Sequence, residues 1–241
     1  MKRELKAVIK DAKGLLDAYR DLGVDAPPVS PNALRTREEQ APSALQADSP
    51  ETADTLEALR AFVGDCRRCK LHQGRNKLVF GEGSARARVV FVGEGPGRDE
   101  DREGRPFVGE AGKLLTRIIE NGMGLRREEV YICNVVKCRP PRNRDPERDE
   151  IETCLPFLKR QLAVIKPEVI CVLGRVAGEA LLGPDFKISQ RRGQWHEYMG
   201  IPLMPTYHPA YLLRNPSAKR PVWKDVQGMM DRLDLEVKKN G

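Results

Sequence analysis

Long apolar runs are missing from this 241-residue chain. No stretch approaches the roughly 20 residues that a membrane-spanning helix needs. Met1-Lys2-Arg3-Glu4 leads into no apolar leader core, so a cytoplasmic protein without a membrane segment is expected. Histidine is scarce, with three residues at 72, 196 and 208, so any imidazole chemistry has few candidates. A hydrophobic content of 40% supports one sizeable core plus an appendage and excludes two full α/β domains. Disulfide scaffolding is excluded on other grounds. Six cysteines in a reducing compartment stay free, which leaves metal ligation or burial to account for them.

Positive charge is in excess. The net charge is +7, yet residues 30–59 hold two Arg against six Asp or Glu, so the remainder carries +11. Such a surface favours a polyanionic partner, although plain solvation by Lys and Arg explains it too.

Leu5, Val8, Ile9, Leu15, Leu16, Tyr19 and Leu22 recur at helical spacing, so an amphipathic helix is expected within residues 1–23. Residues 24–55 turn to Pro, Ala, Ser and acidic side chains, the composition of a flexible linker. A catalytic domain is expected over 56–241. There, apolar strands at Val89–Val92, Val130–Val136, Val169–Leu173 and Ile201–Met204 alternate with amphipathic helices. Asp145-Pro146 reads as the start of a helix running to Ile165, with a kink at Pro156. This alternation predicts an α/β fold: a three-layer α/β/α sandwich on a mostly parallel four-stranded sheet, with its site in loops at the carboxyl ends of the strands.

Cys66-Arg67-Arg68-Cys69 is a C-x2-C knuckle, and Cys138 and Cys154 follow far downstream. Four thiolates saturate one zinc ion or one [4Fe-4S] cluster. The wide second half is unlike a zinc ribbon and favours the cluster, though spacing alone leaves both open. Cys133 and Cys171 fall inside apolar strands and read as buried small hydrophobes.

Gly93-Glu94-Gly95-Pro96-Gly97 follows a strand but does not make a dinucleotide site. Arg98 stands where the third glycine belongs, Pro96 removes an amide donor, and the following Asp99–Phe107 reads as a charged loop rather than a helix start. A tight turn is the simpler reading.

The runs GEGPGRDEDREGRPFVGEAGKLL, YICNVVKCRPPRNRDP and HPAYLLRNP, in that order and with cysteines at matching places, resemble the iron-sulfur (family 4) uracil-DNA glycosylases. The resemblance covers Cys66 to the C-terminal helix and says nothing about residues 1–55. It implies hydrolysis of the uracil N-glycosidic bond in single- or double-stranded DNA, and a [4Fe-4S] cluster on Cys66, Cys69, Cys138 and Cys154. Uracil would meet Gly93, Glu94 and Gly95, stack on Phe107, and be read by Asn134, whose amide matches O4 and N3–H. His208 would hydrogen-bond O2 as charge develops there. Glu100 would activate water or stabilise the sugar cation, and Asn143 would orient the pocket or the water.

Arg142, Arg144 and Arg214, with Arg105, Arg139 and Lys219 nearby, are candidates for phosphate contacts. Leu212-Leu213 could wedge into the gap left by a flipped base. A monomer is expected, with the N-terminal helix free to dock on the domain or bind another protein. Two related readings remain. A covalent uracil-DNA trap would carry a His-containing insertion, which the short Arg139–Pro146 segment lacks. The broader-substrate iron-sulfur glycosylases are disfavoured by Glu100 and Asn134. A catalytically silent nucleic-acid-binding module is the reading from a different class.

Overall fold

Each central strand is a continuous apolar run, so it must be covered on both faces. The computed structural model, which describes residues 49–236, satisfies this with two helical layers. The expected N-terminal helix and most of the expected linker lie outside the described residues. The last residues of that linker belong to the fold: Ala53 is buried in the core and its carbonyl accepts from Arg160.

Strands β1 (Glu82–Gly83), β2 (Val89–Gly93), β3 (Tyr131–Asn134), β4 (Val169–Leu173), β5 (His196–Tyr198) and β6 (Ile201–Thr206) form one sheet in the order β1-β3-β2-β4-β6-β5. The four inner strands are parallel, and β1 and β5 add antiparallel edges. The expected four-stranded sheet is therefore the core of a six-stranded one.

Residues alternate between the faces of the sheet, as the pleat requires. Val90, Val92, Cys133, Ile170 and Val172 pack with helices α1 (Leu56–Val63), α4 (Arg148–Ile165) and α5 (Arg175–Leu182). Val89, Phe91, Ile132, Cys171 and Met204 pack on the other side. There they meet α3 (Glu110–Arg117), α7 (Pro209–Arg214) and α8 (Lys219–Arg232).

Three local expectations change. The segment after the glycine turn opens a helix, α2 (Arg98–Glu103), because Glu100 accepts the Gly97 N–H and three acidic residues occupy its first turn. Helix α4 begins two residues beyond Asp145-Pro146, capped by Glu147 and Glu150, and its helical assignment continues through Pro156. Strand β3 ends at Asn134, and the chain beyond it continues to pair through Val135 N–H to Gly93 C=O and Val136 N–H to Glu94 C=O. Helix α6 (Ile188–Arg191) precedes the β5–β6 hairpin.

From β2 the chain passes to β3 on one side and later to β4 on the other. This is a topological switch point, where open α/β sheets place their clefts.

Candidate active site and cysteine centre

Backbone geometry at the switch point puts the sequence-predicted residues together. A cleft of about 410 Å³ is lined by Glu94, Gly95, Glu100, Phe107, Asn134, Asn143, Arg144, His208 and Arg214, among others. Gly93 lies just beneath. A Cβ there would stand 2.4 Å from Asn134 Oδ1 and 2.7 Å from Phe107 Cζ, so only glycine lets these two side chains converge.

Asn134 is the last residue of β3 and is 1% exposed, yet among the described residues its Oδ1 has no hydrogen-bond partner. A buried unpaired amide oxygen is costly unless a ligand completes it, at about 1–3 kcal/mol. Phe107 is buried rather than exposed, and it adopts a left-handed backbone (φ 52°). Its ring centroid lies 5.5 Å from that of His208, with an interplanar angle of 33°. The Phe107 carbonyl presses on α3 so closely that a Cβ on Gly112 would be 1.9 Å away. Gly112, which sequence reasoning passed over, is thus a structural support of the site.

His208 caps α7, its Nδ1 accepting the Ala210 N–H at 3.1 Å. That bond leaves Nε2 as the protonated nitrogen of the neutral ring. Burial holds the imidazole pKa down to about 4 against the opposing pull of Glu100, with Arg214 lowering it further.

Both carboxylate oxygens of Glu100 accept from backbone donors: Oε1 from Val108 and Gly109 at 2.9 and 3.0 Å, and Oε2 from Gly97 at 3.1 Å. Within the same acidic run Asp101 is fully buried and accepts from Asn76 and Lys77. These two carboxylates hold loops, while Arg102 and Glu103 of the same run are exposed. The pKa of Glu94 is pushed up to about 7, first by burial and then by Asp145, with Arg175 opposing. Asn143 Oδ1 accepts from Arg139 at 2.7 Å, which leaves its NH2 group for other acceptors.

The candidate DNA contacts divide. Arg214 and Arg142 are exposed. Arg144 forms a two-pronged pair with buried Glu150 at 2.7 and 2.8 Å, and Arg105 pairs with Glu82. Leu212 is 1% exposed in the core beneath α7, so it cannot serve as a wedge; Leu213 is 43% exposed.

All four candidate ligand cysteines line a second pocket, with Val63, Leu78 and Phe157. Donors point at three of the sulfurs at 3.3 Å: Arg68 at Cys66, Arg75 at Cys138, and the Lys137 N–H at Cys154. Such donors suit thiolates. Burial pushes the Cys154 thiol up to about 12, with its neighbours Cys138 and Cys69 adding to the shift. Cys138 and Cys154 are buried and Cys66 and Cys69 half-buried; a buried thiol gives up its proton most readily beside a bound cation. Among the described residues no three His, Cys, Asp or Glu side chains converge on one point tightly enough to hold a single ion. Cys133 and Cys171 are buried in strands, as expected.

Fold and site together define a class: an α/β/α protein with a cleft at the switch point, lined by Phe107, Asn134 and His208, and a second pocket lined by four cysteines. A family model described as the uracil DNA glycosylase superfamily matches residues 80–227. A type-4 uracil-DNA glycosylase from Sulfurisphaera tokodaii is 48% identical over 180 residues, 71% of this chain and 82% of the relative. One from Saccharolobus solfataricus is 45% identical over 188 residues, covering 75% and 87%. A type-5 uracil-DNA glycosylase from Pyrobaculum aerophilum is more distant, at 29% over 174 residues, covering 65% and 76%. This chain belongs to the type-4 uracil-DNA glycosylases. Among the described residues no helix is long and apolar enough to cross a membrane.

Proposed function

We propose that this protein removes uracil from DNA by hydrolysing its N-glycosidic bond, leaving an abasic site for base excision repair. The observation that carries the reading is the unpartnered buried Oδ1 of Asn134 facing Phe107 and a neutral His208 across one cleft.

Uracil flipped from the helix stacks on Phe107. Asn134 Oδ1 accepts its N3–H, and Nδ2 donates to O4. Cytosine offers the opposite pattern and leaves both groups unpaired, which disfavours it by several kcal/mol. As the C1′–N1 bond breaks, its electron pair passes to N1 and delocalises onto O2, where His208 Nε2–H donates. A neutral donor suits this task, since it stabilises the departing anion without having to give up its proton. Positive charge on the sugar is offset by the Glu100 carboxylate, which its three amide donors hold in place. Water, oriented by the free NH2 of Asn143, adds to C1′ and loses its proton to a nearby base. Glu94, with a pKa near 7, is suited to receive it.

Exposed Arg142 and Arg214 meet phosphates on either side of the cleft. Cys66, Cys69, Cys138 and Cys154 would hold a [4Fe-4S] cluster. The four thiolates line one pocket and come from a knuckle, a loop and a helix, a wide spacing that favours the cluster over a zinc ribbon. When bound, the cluster supplies a covalent tie between the knuckle, the Cys138 loop and α4; the reaction itself moves no electrons. The enzyme acts as a monomer in the cytoplasm.

The test is multiple turnover on end-labelled oligonucleotides carrying one uracil, thymine or cytosine, with alkali cleavage at abasic sites. Uracil-dependent cleavage alone is expected. Cleavage of none by DNA-binding protein would overturn the proposal, and equal cleavage at cytosine would overturn the role of Asn134.

A further inference from the structure

A further cleft of about 430 Å³ is used by neither the chemistry nor the cysteine centre. It shares Glu94, His208 and Arg214 with the uracil cleft, so the His208 side chain is a wall between the two. Val176 of α5 and Ile188 of α6 give it an apolar lining, and Tyr207 and Tyr211 complete it. The two tyrosine rings form a pair, their centroids 4.8 Å apart with an interplanar angle of 37°. Tyr207 is half-buried and the Arg192 guanidinium lies 5.6 Å from its ring centroid, so a cation and a second ring both brace it. Tyr211 is 39% exposed and follows His208 by three residues, which puts both on one side of α7. An exposed ring already held by another loses little freedom when a flat partner stacks on it. Arg175, also in this cleft, is occupied with Asp145 and Glu179. Among the described residues Arg214 is the one cation that lines both clefts. A strand that places one base in each must pass its linking phosphate across that shared boundary.

We propose that this cleft is a subsite for one nucleotide next to uracil in the same strand, its base stacking on Tyr211 and its linking phosphate meeting Arg214. The inference deepens the uracil-excision reading given above and rests on it. When uracil leaves the stack its neighbour loses a stacking partner, and the Tyr211 ring replaces that lost surface. Such a stack tolerates any base, since every base has a π-face. It matters most in a single strand, where no opposite strand holds the neighbour and a leucine wedge has no duplex gap to fill. Tyr211 therefore binds substrate without belonging to the reacting set.

The experiment uses the full chain and compares wild type, Tyr211→Ala and Tyr211→Phe on single-stranded oligonucleotides carrying one uracil. One strand has ordinary bases throughout; the other two replace the 5′ or the 3′ neighbour of uracil by a tetrahydrofuran spacer that lacks a base. Single-turnover uracil release is measured on each, and affinity is read by fluorescence anisotropy on matching strands with cleavage-resistant 2′-fluoro-deoxyuridine. Wild type is expected to lose about tenfold in affinity with the spacer on one side, within the range for one base–aromatic stack. Tyr211→Ala should lose about as much on the unmodified strand, yet less than about twofold more when that same spacer is present. Tyr211→Phe, which keeps the ring, should recover most of the loss. Damage to His208 or to α7 would instead weaken all three strands alike, and that outcome overturns the proposal. So does a wild type indifferent to both spacers, or a coupling of Tyr211 to both positions or to neither. Absence of uracil release by wild type would sink the excision reading itself, while the affinity measurements would still decide the subsite.

Discussion

The imidazole of His208 and the carboxylate of Glu94 depart from their ordinary ionisation in opposite senses, and each departure has a measurable consequence. With its pKa near 4, His208 stays neutral throughout the physiological range, so the pH–rate profile should show no histidine limb near 6.5. Glu94, near 7, should supply an inflection there that disappears in Glu94→Gln. Its folded-state pKa lies above the unfolded value of about 4.3. Its contribution to stability is therefore complete below that value and lost as pH rises through 7. Glu94→Gln should melt higher than wild type at pH 8 and at the same temperature at pH 4; the reverse order would contradict the burial argument. At this scale Asn134 and His208 were legible, because their motifs name a chemistry. Gly112 and Lys137 were not, since a glycine in a helix and a lysine before a cysteine announce neither a close approach nor a burial. A charged residue within the otherwise apolar run Val130–Val136 and its extension was the one available signal for Lys137.

Elements inherit these constraints. Helix α2 exists because Glu100 caps it, and the same carboxylate binds the amides that begin the turn into α3. Glu100→Ala should cost about 1–3 kcal/mol of stability as well as activity, from the loss of a cap and two further bonds. An active-site change with no fall in melting temperature would show that the backbone bonds carry nothing. Helix α7 separates its two leucines. Leu212→Ala should destabilise by about 2–5 kcal/mol through a core cavity. Leu213→Ala should leave the melting temperature within about a degree or two, and slow excision from duplex far more than from single strands. Equal losses on both substrates would remove the wedge. The sequence could not tell the two apart, because adjacent leucines on a six-residue helix lack the periodicity that assigns a face. For the same reason the parallel strands were readable as continuous apolar runs, while β1 and β5, two and three residues long, carry too little pattern. Helix α2 was missed because an acidic run reads as a loop until its capping partner is seen.

Across the whole molecule, the excess positive charge and the cysteine centre set how the protein meets DNA and how it holds together. Arg214→Ala should weaken DNA binding alike for uracil-containing and uracil-free strands, and reduce the slope of log affinity against log salt by about 1. On the proposed cluster assignment, stripping the metal should bleach the protein and lower its melting temperature, since the knuckle, the Cys138 loop and α4 then lose their covalent tie. Unchanged melting would confine the centre to another role. The three-layer architecture, with a site at the carboxyl ends of the strands, followed from strand and helix alternation; the strand order that makes β2 the switch point did not. The burial of Lys137 between the Asn134 carbonyl and Gln161 could not be read from spacing, because it depends on a side chain crossing from a strand end to a helix.

The most direct measurement of the central claim is single-turnover release of free uracil from a duplex at pH 7.5 by wild type, His208→Ala and Asn134→Ala. The account predicts losses on the order of 10²–10³ for His208→Ala, the range for removing one donor to a developing anion. A loss of several kcal/mol in discrimination is expected for Asn134→Ala, seen as a narrowed uracil-to-cytosine ratio. Full activity of His208→Ala in correctly folded, DNA-binding protein would contradict it.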